Sequence, residues 1–69
     1  NVTIGNAMKN IEYDFQYYSQ LAARTERSRE YGDAATLWKA AAMLATNLEN
    51  IEWAMHRKLF CVKMAQYSC

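Results

Sequence analysis

Apolar residues recur along this chain at helical spacing, and nowhere do they alternate in the manner of a half-buried strand. The pattern predicts three helices, near residues 7–30, 33–45 and 48–66. In the first, Met8, Ile11, Phe15, Tyr18, Leu21, Ala22 and Thr25 share one face. Gln16, Gln20, Arg24 and Arg27 lie opposite, with Tyr13 and Tyr17 beside them. The stretch from Asp33 to Ala45 is apolar almost all round and rich in alanine, with only Thr36 and Lys39 polar inside it. A helix of that kind is covered on more than one side, so it is expected to be the central element. Leu37, Ala41, Ala34, Ala45 and Trp38 would form its main packing face at about 100° per residue.

The third segment is two-faced. Ile51, Met55, Leu59 and Val62 make an aliphatic side. Trp53, Phe60 and Met64 make an aromatic side roughly opposite, with Ala54, Cys61 and Ala65 between. Glu52, His56 and Lys63 leave only a narrow polar stripe. The central helix can cover one of these faces; the first helix, a second copy of the chain or another protein must cover the other. The expected core is Phe15, Tyr18, Leu21, Ala22, Ala34, Leu37, Trp38, Ala41, Ile51, Met55 and Leu59. Gly32 is expected to supply the first turn and Asp33 to cap the second helix. Thr46 with Glu49 fits a capping box for the third.

Composition narrows the class to all-α. The 69 residues contain no proline and two glycines, and 52% are hydrophobic. That is one small domain near the lower size limit for independent folding. Tyr18-x2-Leu21-Ala22 followed by Tyr31-x2-Ala34-x3-Trp38-x2-Ala41 has the spacing of a tetratricopeptide helix pair. A single such unit predicts a tetratricopeptide-like hairpin closed by a third helix rather than a solenoid. Met8 reads as a native start, with residues 1–7 an appended or flexible N-terminus. The N-terminus lacks the apolar region of a signal peptide, and no apolar run approaches the ~20 residues of a membrane span. Cys61 and Cys69 are not spaced as a disulfide framework, so a cytoplasmic, reducing setting is expected.

Charge and chemistry exclude more than they include. A formal net charge of +1 argues against strong direct binding of DNA. Arg24, Arg27 and Arg29 gather at the end of the first helix, where positive charge suits the helix dipole better than it signals a phosphate site. His56 is the sole histidine, and Cys61, five residues on, points away from it. No metal-ligand spacing, P-loop or dinucleotide motif occurs. The chain is therefore expected not to be an enzyme and to need no cofactor.

Two segments carry a family resemblance. Tyr31-x2-Ala34-Ala35-x-Leu37-Trp38-x2-Ala41 and Asn50-x2-Trp53-x3-Arg57-x2-Phe60-Cys61 together resemble the AraC negative regulator (ANR) family of enteric bacteria. The PerC-like regulators show a related arrangement. The resemblance covers about residues 13–65, and one departure is Ala54, where a cysteine often follows the tryptophan. It implies a transcriptional repressor that binds an AraC/XylS-type activator of virulence genes and blocks its dimerisation or DNA binding. An H-NS-like nucleoid protein is a further implied partner. Direct nucleic-acid binding through Arg24, Arg27, Arg29, Tyr13 and Tyr17 is the alternative. Trp53, Arg57, Phe60 and Met64, with Tyr13 and Tyr17 on the first helix, are the candidate partner-binding or dimer-interface residues. The competing reading makes Trp53 and Phe60 core, with Arg57 bridging to a helix end inside the domain. Surplus apolar surface on so short a chain also predicts a homodimer.

Overall fold

The computed structural model describes residues 14–67. These form three α-helices: α1, Phe15–Arg27; α2, Tyr31–Leu44; and α3, Leu48–Tyr67. There is no strand among the described residues, so the all-α class is as the pattern predicts. Met8, Ile11, Tyr13, Cys69 and the expected helical stretch 7–13 lie outside the described residues.

Each boundary is set by a nameable residue. Asp14 has extended backbone and its carboxylate accepts the Gln16 N–H at 3.0 Å, capping α1. The first described helix therefore starts at Phe15, with Asp14 outside it. Its end is a Schellman turn: Glu30 N–H donates to Thr25 O at 3.2 Å and Arg29 N–H to Glu26 O at 2.9 Å. The left-handed residue this turn requires is Arg29, at φ 67°, not the expected Gly32. Gly32 lies within the first turn of α2, and Asp33 sits there as a first-turn acid rather than as the cap. Asn47, not Thr46, caps α3: its Oδ1 accepts the Asn50 N–H at 2.8 Å. The cap is shifted by one residue, and Glu49 falls at the second helical position, out of register for a capping box.

The helices run up, down and up. Trp38 meets Trp53 and Tyr31 meets Phe60, so α2 and α3 are antiparallel. Phe15 meets Trp53 while Glu26 reaches Arg57 and Cys61, so α1 advances in the same sense as α3. Among the described residues the buried apolar set is Ala22, Ala34, Ala35, Trp38, Ala41, Ala42, Ala54 and Cys61. One indole thus lies among small side chains, and Phe15, Tyr18, Ala23, Tyr31 and Leu37 pack against this cluster.

This arrangement corrects the expected rotation of α3. Ile51 is only partly buried, and Met55 and Leu59 are 39% and 57% exposed rather than core. The strip facing inward is Ala54 and Cys61, the small residues between the two large-residue faces. The reason is the surface they meet. The alanines of α2 bring its backbone close to that of α3, and only small side chains fit in the seam between them. The aliphatic and aromatic sides of α3 are left flanking that seam, one on each side.

Candidate interaction site

The site begins with α1. Phe15, Ser19, Ala22 and Glu26 succeed one another at steps of 4, 3 and 4 residues, and this stripe faces the other helices. Ser19 is buried and satisfied locally, its hydroxyl donating to the Gln16 carbonyl at 3.1 Å. Glu26 ends the stripe and joins all three helices. Its Oε1 accepts the indole N–H of Trp38 on α2 at 3.0 Å. The same oxygen accepts the thiol of Cys61 on α3 at 3.6 Å. Its Oε2 is ion-paired and hydrogen-bonded to the guanidinium of Arg57, also on α3. The Glu26 side chain is 14% exposed and that of Arg57 is 36% exposed, so the pair lies at the lip of the core. Among the described residues no buried side-chain nitrogen or oxygen lacks a hydrogen-bond partner.

Above this junction sits an aromatic ridge. Trp53 packs edge-on against Trp38, with ring centroids 4.9 Å apart, and against Phe15 at 6.0 Å. Phe60 packs edge-on against Tyr31 at 6.4 Å. The Arg57 guanidinium lies 4.6 Å from the centroid of the Phe60 ring, within cation–π range. Trp53 and Phe60 nonetheless remain 47% and 41% exposed. A cleft of about 290 Å³, lined by Ala23, Glu26, Arg27, Trp38, Trp53 and Arg57, opens beside the ridge.

The structure thus brings Trp53, Arg57 and Phe60 together. Arg57 bridges inside the domain to the end of α1, while the two aromatics are packed on one side and open on the other. Met64 is partly buried on the same helix. Tyr17 is 38% exposed on α1 and packs edge-on against Tyr18 at 5.1 Å. Tyr13 lies outside the described residues.

Glu26 escaped the pattern reading because it stands among Arg24, Arg27 and Arg29, a run that looks like a solvated helix end. The signal that identifies it is its place four residues after Ala22, on the small-residue stripe. Burial pushes the Cys61 thiol above its ordinary range, opposed by the positive charge of Arg57. The thiol is consequently a protonated hydrogen-bond donor at neutral pH, not a nucleophile. Among the described residues no three His, Cys, Asp or Glu side chains are grouped to hold a metal ion. No described helix is long and apolar enough to cross a membrane.

The chain is 40% identical over 52 residues to an uncharacterized protein in the Mu-like prophage FluMu region of Haemophilus influenzae. The match spans 75% of this chain and 70% of that protein. This chain belongs to that prophage protein's family. No family model matches it, and neither does any solved structure.

Proposed function

We propose that this protein is a negative regulator of transcription that works by contact with an AraC/XylS-type activator, blocking its dimerisation or its binding to DNA. The observation that carries the reading is the ridge of Trp53 and Phe60. These are large aromatics held in fixed positions by Trp38, Phe15, Tyr31 and Arg57, yet open to solvent along their outer edges. Rigid, half-exposed aromatics are the residue types that dominate protein–protein contact energy. The resemblance of Tyr31–Ala41 and Asn50–Cys61 to the AraC negative regulators points the same way.

The test is co-purification of the full chain with AraC/XylS-type activators from the same genome. Retention of one of them, with loss of its binding to its promoter, supports the proposal. The direct nucleic-acid reading has one specific feature in its favour, the exposed Arg24, Arg27 and Arg29 around the end of α1. Duplex DNA binding that falls steeply with salt, with no activator retained, would replace the proposal with that alternative.

A further inference from the structure

We propose that α3 pairs with the α3 of a second copy of this chain, antiparallel about a two-fold axis close to His56. Leu48, Glu52, Met55, Leu59, Val62 and Gln66 follow one another at steps of 4, 3, 4, 3 and 4 residues. That is the spacing of the seam between two paired helices. Every one of the six is exposed in the single chain. Four are large and apolar, with Leu48 67%, Leu59 57%, Met55 39% and Val62 38% exposed. The intramolecular packing of α3 uses its other side, through Ala54 and Cys61.

The charges select both the occupant and its direction. Glu49 and Lys63 each follow a seam residue, Leu48 and Val62, and so flank the seam on one side, with His56 midway between them. In a parallel pair Glu52 would face Glu52 of the other copy inside the seam, like charge against like. In an antiparallel pair the same flanking positions face each other. Glu49 of one copy then meets Lys63 of the other, twice by symmetry, and Glu52 lies within a turn of that same lysine. Met55 and Leu59 stack on their counterparts at the centre. On the opposite flank Lys58 meets its own counterpart once near the axis, whereas a parallel pair would set Lys58 against Lys63 twice and Glu52 against Glu52, so the charges favour the antiparallel arrangement of two copies. The seam and the ridge of Trp53 and Phe60 are about 120° apart around α3, so pairing leaves the ridge uncovered. The pairing does not depend on the activator being the partner.

The experiment is sedimentation equilibrium on the full chain. A reversible dimer is expected. Leu59→Lys should convert it to monomer while far-ultraviolet circular dichroism stays helical, because Leu59 is already exposed. Lys63→Glu should raise the dimer Kd about tenfold, since symmetry counts the lost pair twice. Adding Glu49→Lys to Lys63→Glu should restore most of the loss. In a Cys69→Ser background, His56→Cys should cross-link the two copies on mild oxidation. A chain that is monomeric at about 100 µM overturns the proposal. If deleting residues 1–13 then released a dimer, the occupant of the seam would be the chain's own N-terminal segment instead. A dimer indifferent to Leu59→Lys rules out this face. One that responds to Leu59→Lys but not to the charge exchange rules out the antiparallel arrangement.

Discussion

The carboxylate of Glu26 accepts the indole N–H of Trp38 across 12 residues of sequence, at 3.0 Å. This bond ties the end of α1 to the middle of α2. Because the same carboxylate also receives Arg57 and Cys61, it ties both helices to α3. Beside a core made mostly of alanines around Trp38 and Cys61, it is the principal polar fixture.

The two ends of this network should not be equally sensitive. Glu26→Ala leaves the Trp38 N–H and the Cys61 thiol without their acceptor in a buried setting, a loss of about 2–3 kcal/mol. Arg57→Ala should cost less, because the guanidinium is one-third exposed and its pairing is screened by water. Trp38→Ala removes the largest buried side chain among the described residues and should cost about 3–5 kcal/mol. Urea denaturation of the three variants checks the order. Arg57→Ala proving the most damaging would contradict it.

Two backbone positions should respond in the direction opposite to the simplest expectation. Arg29 occupies the left-handed conformation that glycine tolerates best, so Arg29→Gly should stabilise the chain by up to about 1 kcal/mol. Gly32 lies in the first turn of α2 with a negative φ, and a Cβ there would meet no atom within 4 Å. Gly32→Ala should therefore stabilise by about 0.5–1 kcal/mol. Thermal melts of both variants decide the matter; a fall in Tm for Gly32→Ala would restore glycine as the turn residue.

The three helices were legible because the chain has no proline and its alanine-rich centre can only be a covered helix. What was not legible came from choices between neighbours. Thr46 and Asn47 are adjacent cap candidates, and only the backbone decides that Asn47 reaches the Asn50 N–H. Pattern rules turn the largest apolar residues of α3 inward, but the alanine surface of α2 admits Ala54 and Cys61 instead. That one rotation leaves Met55 and Leu59 outside and brings Arg57 to Glu26. The partners of Glu26 lie 12, 31 and 35 residues away, beyond the reach of any local pattern.

Cys61 gives a pH dependence with a definite sign. Burial raises its thiol above the ordinary value of 9.0, so the folded chain holds a proton that the unfolded chain releases. Stability from this group is complete below pH 9.0 and is lost as pH rises from there through the raised value. Melting temperatures measured on both sides of that limit should fall more steeply for the native chain than for Cys61→Ala. Identical alkaline slopes would mean that the thiol ionises freely in the folded chain.

The last prediction separates the ridge's part in folding from its part in binding. Phe60→Ala removes one edge contact with Tyr31 and the ring beneath Arg57, and should lower stability by about 1–2 kcal/mol. Since 41% of Phe60 is open to solvent, the same variant, kept well below its melting point, should bind the proposed activator partner at least about tenfold more weakly. Arg57→Ala behaves differently, because its guanidinium is engaged with Glu26 and Phe60 inside the chain. Its binding should decline only in step with its folded fraction. Tyr17→Ala, on α1, reports whether the contact extends beyond α3. Isothermal titration of each variant with the activator, alongside its melting curve, yields both quantities. Should Phe60→Ala and Tyr17→Ala stay folded and bind as the native chain does, neither surface would be the contact.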